Sequence, residues 1–223
     1  MTSDFKNLKI DKISNFKHRI LNNFYARNVI NTCSPQPAIF FDRDGVIIKD
    51  CHYISNPDKV EILKGAIEVM IYAKKIGFLI IVVTNQSGIT RGFLNWDDYE
   101  KVTLRMLSHL GNPILIDGIY ANSNSPDMTE EKKCWRKPNP NMLLAAKEDF
   151  NLDLENSIII GDRLTDLVAG KNAGIRKFVH VMTGHGKNER ACIKKEFSGS
   201  YDSFDLFLIG NLLEFPLREL KIY

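Results

Sequence analysis

An apolar run, Ala38-Ile39-Phe40-Phe41, ends in two carboxylates one residue apart, Asp42 and Asp44, and Gly45 follows directly. A continuous apolar run marks a strand buried on both faces, and ligands of open α/β sheets gather just beyond the carboxyl ends of such strands. Side chains two apart in an extended chain point the same way, so both carboxylates would face one site and call for a cation there. Gly45, without a Cβ, lets the backbone turn sharply or approach a ligand closely. The plain alternative for this hexapeptide is a solvated acidic turn, and the rest of the chain decides between the two.

Three more polar groups each sit just past an apolar run or in a loop of the same alternation. Thr84-Asn85-Gln86-Ser87 follows residues 78–83 and offers a hydroxyl and backbone N–H groups, the donors a phosphoryl oxygen needs. Arg136-Lys137-Pro138 places adjacent cations in a loop ahead of the helix expected from Asn141. Gly161-Asp162-Arg163-Leu164-Thr165-Asp166 follows residues 157–160, and on a helix its two acids would lie four apart on one face. Taken singly these are a polar turn, a solvated basic turn and an acidic cap. Together, Asp42, Asp44 and Asp162 would repel one another, so either some stay protonated or a hard divalent ion joins them, and Mg²⁺ is the economical choice. Lys137 and Thr84 would stabilise a transferring group. The ordered set of nucleophile, metal, cation and neutral donors suits phosphoryl transfer, which needs positioning and charge neutralisation above all.

The elements that must hold these residues are legible as an alternation. Strands are expected at residues 38–41, 78–83, 118–121, 157–160 and 178–181, and helices at 66–76, 96–110 and 141–150, with Asn95 able to cap the second helix. That order implies a doubly wound α/β fold: a parallel sheet between two helical layers, a three-layer α/β/α sandwich. With 223 residues, 44% of them hydrophobic, the chain can bury one full core with appendages. Residues 1–37 form an arm, read either as an amphipathic helix, from the spacing of Ile13, Phe16, Ile20, Leu21 and Phe24, or as a partly ordered segment. Residues 38–186 make the core, and 187–223 a strand-and-helix extension packing on it, with an aromatic run at 204–209 and a short helix at 212–221. The net charge of +3, mixed in sign, argues against a nucleic-acid partner. No stretch is long and apolar enough to span a membrane and no secretory core opens the chain, so a cytoplasmic protein is expected. Cys33, Cys51, Cys134 and Cys192 are too scattered for a disulfide scaffold.

The ordered motifs Asp42-Arg43-Asp44-Gly45, Thr84-Asn85, Lys137-Pro138 and Gly161-Asp162 with Asp166 resemble those of the haloacid dehalogenase (HAD) superfamily of phosphatases, over about residues 38–184. Within it, Asp42-Arg43-Asp44-Gly45-Val46-Ile47, the string from Val83 to Ile89 with Arg91-Gly92-Phe93, and Cys134-Trp135-Arg136-Lys137-Pro138 are similar to the heptose bisphosphate phosphatases and the related histidinol-phosphate phosphatases. The resemblance implies a Rossmann-like, largely capless fold, since residues 49–61 are too few for a cap domain. It implies that Asp42 attacks phosphorus to give an aspartyl-phosphate and that Asp44 protonates the leaving alkoxide and then activates water. It further implies Mg²⁺ on Asp42, Asp44 (through its backbone carbonyl) and Asp162, with Thr84 and Lys137 on the phosphoryl group. Substrate would meet Asp50, Cys51, His52, Tyr53, Asn85, Gln86, Ser87, Arg91, Arg136 and Arg163.

Two departures from the family pattern stand out. Where many heptose phosphatases carry Cys-x-His and Cys-x-Cys pairs for a structural zinc, this chain has Asn122 and Asn124, then Lys133 and Trp135 around a lone Cys134, so no structural zinc is expected. Arg163 stands where the family often has Lys. The sequence thus leads to a Mg²⁺-dependent phosphomonoesterase acting on a small phosphorylated metabolite, a heptose bisphosphate first. Histidinol phosphate, the 3′-phosphate end of a nucleic acid, and an inactive binding protein of the same fold are the alternatives.

Overall fold

Alternate residues of one short strand serve opposite cores. The structure is a computed structural model that describes residues 34–111, 115–127, 135–198 and 204–217, together with the strand Phe16–Ile20. In β2 (Ala38–Phe41), Ile39 and Phe41 face one apolar cluster while Ala38 and Phe40 face the other, and all four are fully buried. That period of two, with both faces apolar, is the condition for a central parallel strand. β2 pairs in parallel with β3 (Leu79–Asn85) on one side and β5 (Ile158–Gly161) on the other. The full order, with β1 (Phe16–Ile20), β4 (Gly118–Asn122), β6 (Lys177–His180) and β7 (Asp205–Leu208), is β1-β4-β3-β2-β5-β6-β7.

The helices divide between the two faces. α1 (Ala66–Lys75) and α3 (Trp96–Leu110) bury Val69, Met70, Ala73, Val102, Met106 and Leu107 against Ile39, Phe41, Ile80 and Val82. On the other face α4 (Asn141–Phe150), α5 (Leu164–Ala173) and α6 (Gly186–Glu196) bring Met142, Leu143, Phe150, Leu167 and Ile193 against Phe40, Ile81, Val83 and Ile159. Between β3 and α3 lies one short turn of helix, α2 (Ser87–Thr90). Asn95 does cap α3: its side chain accepts from the N–H groups of Asp97 and Asp98, and Asp98 returns a bond to the N–H of Asn95. Loop 49–61 is closed by Lys49 N–H donating to Glu61 O at 2.9 Å and holds only a 3-10 turn, Pro57–Lys59, so this loop forms no cap domain over the sheet end.

Three outcomes differ from expectation. Phe16–Ile20 is extended, not helical, and pairs antiparallel with β4, Phe16 opposite Asn122 and Ile20 opposite Gly118. The edge of β4 would otherwise present a row of unpaired N–H and C=O groups, and pairing them outweighs a helix that has no partner to pack on. The remaining helix-spaced residues of the arm lie outside the described residues. At the other end, the helix expected from Leu212 is a 3-10 turn, Leu212–Glu214, and Pro216, which has no N–H to donate, prevents its continuation. Finally, α6 occupies a polar stretch for which no helix was expected. No helix among the described residues is long and apolar enough to cross a membrane.

Candidate active site

The strand order reverses direction at β2, because successive connections run outward through β3 and β4 on one side and through β5 and β6 on the other. The carboxyl end of β2 is therefore the crevice of the sheet. Asp42 occupies it, its N–H extending the ladder to Ile160 O at 3.0 Å. One Oδ of Asp42 accepts from Lys137 Nζ at 2.9 Å, and the same ammonium reaches Val83 O and Asp166 Oδ1, both at 2.8 Å. Lys137 is held at its backbone as well: its N–H donates to Asn85 Oδ1 at 3.1 Å and its carbonyl accepts from Asn85 Nδ2 at 3.2 Å. Burial works against the ammonium of Lys137, but Asp166 and Asp42 outweigh it and hold the pKa above the ordinary lysine value.

Asp162, at the end of β5, is fully buried. Its Oδ2 accepts from the His185 N–H at 2.7 Å, while Oδ1 has no hydrogen-bond partner among the described residues. Gly45 and Gly184, both at positive φ, close around this carboxylate, and a Cβ on them would stand 2.6 and 2.2 Å from Oδ2. Side chains there would displace the acid. Carboxylate oxygens of Asp42, Asp162 and Asp166 lie within 4.8 Å of one another. Burial lifts the pKa of Asp162 to about 8, with Asp166 and Asp42 adding to it, and lifts that of Asp42 to about 6 against the pull of Lys137. Three acids facing one ammonium, with an orphaned buried oxygen among them, make a donor set that a small hard cation fits.

Asp44 is built differently. Arg43, itself 1% exposed, grips its carboxylate with Nε and NH2 at 3.0–3.2 Å and lies over the Tyr99 ring at 5.0 Å. Gln86 completes the clamp: Nε2 donates to Asp44 Oδ2 at 2.7 Å and to Thr84 Oγ1 at 2.8 Å, and Oε1 accepts from Arg43 at 3.1 Å. Asp42 and Asp44 do share one cavity, but the carboxylate that joins Asp42 and Asp162 is that of Asp166, because Arg43 and Gln86 hold Asp44 elsewhere. The carboxylates grouped at the strand end are thus those of Asp42, Asp162 and Asp166, which leaves Asp44 its backbone carbonyl as the ligand the resemblance implies.

The cavity holds about 360 Å³ and is lined by Asp42, Asp44 and Lys137 with Asp50, His52, Tyr53, Asn85, Gln86, Ser87, Arg91, Arg136 and Arg163. Two expected site residues stand apart. The Cys51 side chain packs on the apolar core, since the left-handed backbone of His52 and Tyr53 turns those two side chains to the cavity and leaves Cys51 behind. Thr84 is 1% exposed and sits behind Gln86, outside the lining. Three arginines meet at the mouth: burial lowers the pKa of Arg136, and Arg163 and Arg91 lower it further. Residues not foreseen in the site are His185, Thr165 and the Arg43 clamp. The stretch Thr183-Gly184-His185 follows β6 as the other motifs follow their strands, and that position was the available signal.

In the loop where relatives of the resembled family carry zinc ligands, Asn122 and Asn124 are buried and form a local turn, Asn124 N–H donating to Asn122 Oδ1 at 3.0 Å. Arg136 donates to Asn124 O at 2.8 Å and Trp135 packs on the core, while Lys133 and Cys134 lie outside the described residues.

Comparisons with known proteins bear on the family and the fold. The HAD-hydrolase-like family model matches residues 134–200, and the fold and site define a phosphatase of that class. The D-glycero-beta-D-manno-heptose-1,7-bisphosphate 7-phosphatase of Photorhabdus laumondii is 41% identical over 160 residues, 70% of this chain and 85% of that protein. Its Escherichia coli K12 counterpart is 40% identical over 154 residues, 66% of this chain and 80% of that protein. The structure of D,D-heptose 1,7-bisphosphate phosphatase from B. bronchiseptica, complexed with magnesium and phosphate, matches with a TM-score of 0.65 and 26% identity over 76% of this chain and 91% of that one. The chain belongs to the family of HAD phosphatases in which these heptose-1,7-bisphosphate 7-phosphatases fall.

Proposed function

We propose that the protein is a Mg²⁺-dependent phosphomonoesterase that works through an aspartyl-phosphate on Asp42, with a heptose 1,7-bisphosphate as its substrate. The observation that carries this reading is the cluster at the end of β2, in which Asp42 is anchored by Lys137 beside Asp162 and Asp166 while Asp44 is clamped on the same cavity. Mg²⁺ held by Asp42 and Asp162 with the Asp44 carbonyl would neutralise charge on the phosphoryl oxygens. Asp42 attacks phosphorus in line and takes the phosphoryl group. Asp44, oriented by Arg43 and Gln86, gives its proton to the departing alkoxide and then takes one from the hydrolytic water. Lys137 is the fixed cation opposite the transferring group, kept charged by Asp166. Thr84 acts through Gln86, whose amide it helps to hold in place.

The arginines at the mouth support the choice among substrates. Arg91, Arg136 and Arg163 provide a landing site for a second anionic group, which a sugar bisphosphate has. Histidinol phosphate brings an ammonium into the same field and would be repelled. The discriminating measurement is kcat/KM across D-glycero-D-manno-heptose 1,7-bisphosphate, histidinol phosphate and a 3′-phosphorylated oligonucleotide. The bisphosphate should lead by at least tenfold. A lead by either of the others would replace the substrate assignment, and no hydrolysis of any would favour a binding protein.

Two substitutions bear on the machinery. Asp44→Asn leaves the alkoxide unprotonated and should cost ~10²–10⁴ in kcat, with phosphate retained on Asp42 as seen by intact-protein mass spectrometry. Trp135→Ala removes the apolar anchor next to Arg136 and should raise KM several-fold with kcat little changed. A fall in kcat alone would show that Trp135 does not act through Arg136.

A further inference from the structure

Among the residues lining the cavity, three metal-ligating side chains come together. The donor atoms of Asp50, His52 and His185 all lie within 4.8 Å of one another. Asp50 Oδ2 and His185 Nε2 are already 2.9 Å apart, close to the ~3.3 Å that separates two donors around a tetrahedral ion with ~2.0 Å bonds. The His52 ring stands 5.9 Å from that of His185, centroid to centroid, and makes no hydrogen bond among the described residues. Being exposed, it can rotate in without disturbing packing. Backbone contacts set the other two: Asp50 Oδ1 accepts from the His52 N–H at 2.9 Å, and the His185 N–H is tied to Asp162 at 2.7 Å.

We propose that Asp50, His52 and His185 form a second metal site, one that takes a borderline transition cation such as Zn²⁺ at the mouth of the cavity. Two imidazoles and a carboxylate are the donors that zinc, cobalt and nickel prefer, whereas Mg²⁺ demands an octahedron of oxygens. The two sites therefore select different ions. On binding, the ion takes the place of the direct contact between Asp50 Oδ2 and His185 Nε2. All three donors line the cavity, so an ion they hold narrows its entrance. Zinc would then compete with substrate. This site does not depend on the identity of the substrate, and its occupancy is read without turnover.

The test titrates Mg²⁺-saturated full-length protein with Co²⁺ and follows its visible absorption. One Co²⁺ per chain is expected, with no thiolate charge-transfer band, and Zn²⁺ should displace it. His52→Gly, a change suited to the positive φ of 47° at that residue, and His185→Gln should each weaken binding at least tenfold. Cys134→Ser should leave it unchanged. Circular dichroism melts confirm that each variant is folded. In steady-state assays with excess Mg²⁺, Zn²⁺ should raise KM at constant kcat, an effect diminished in His52→Gly relative to that variant's own zinc-free rate. The proposal is overturned by absence of Co²⁺ binding, by a thiolate band, by full affinity in either histidine variant, or by zinc lowering kcat with KM unchanged.

Discussion

Asp42→Asn should bring kcat down to the uncatalysed background while the protein keeps its melting temperature. The amide has the shape of the carboxylate and can still accept from Lys137, whose Nζ lies 2.9 Å from Asp42 Oδ1. It lacks the anionic oxygen that must attack phosphorus. Because the native carboxylate is buried among other acids, with its pKa pushed up to about 6, replacing it with a neutral group removes repulsion and does not cost stability. The discriminating readouts are turnover and covalent phosphate: neither should be detectable in Asp42→Asn, whereas Asp44→Asn should accumulate phosphate on Asp42. A well-folded Asp42→Asn protein that retains a substantial fraction of wild-type kcat would sink the nucleophile assignment.

Much of the frame was legible because it rests on uninterrupted apolar runs. Ala38–Phe41, Trp96–Leu110 and Asn141–Phe150 carry their own periodicity, and the structure has those boundaries. Other elements carry no such signal. β1 reads Phe-Lys-His-Arg-Ile, and only its pairing with β4, far along the chain, makes it a strand. α6 reads Gly-Lys-Asn-Glu-Arg-Ala and onward, and buries little beyond Ile193, so no amphipathic pattern announces it. Within the site, Asp42, Lys137 and Asp162 could be placed because each lies just past a strand or in the loop facing it. The choice between Asp44 and Asp166 could not. Register puts Asp44 on the side of Asp42, yet the direction of its carboxylate is set by a guanidinium and an amide from Arg43 and Gln86. Likewise Cys51 shares a loop with Asp50 and Tyr53, and only the left-handed backbone at residues 52 and 53 decides that it faces the core.

Removal of divalent metal should stop turnover, and Mg²⁺ should restore it, while Ca²⁺, larger and tolerant of irregular coordination, should occupy the site and inhibit. The carboxylates themselves provide a second, activity-free readout. In the metal-free protein the pKa of Asp162 is about 8, well above the ~4 of an unfolded aspartate. Between those values the folded state holds a proton that the unfolded state has lost, so stability falls as pH rises from about 4 to about 8. The metal-free melting temperature should accordingly drop between pH 5 and pH 8, and the drop should become shallower in Asp162→Asn, which cannot ionise and leaves only the part Asp42, raised to about 6, contributes. Metal competes with that proton, so the gain in melting temperature on adding Mg²⁺ should be greater at pH 8 than at pH 5, and nearly absent in Asp162→Asn. Full activity after exhaustive chelation, or a Mg²⁺-induced stabilisation that survives Asp162→Asn, would show that the acids at the end of β2 and β5 serve the phosphoryl group by some means other than a shared cation.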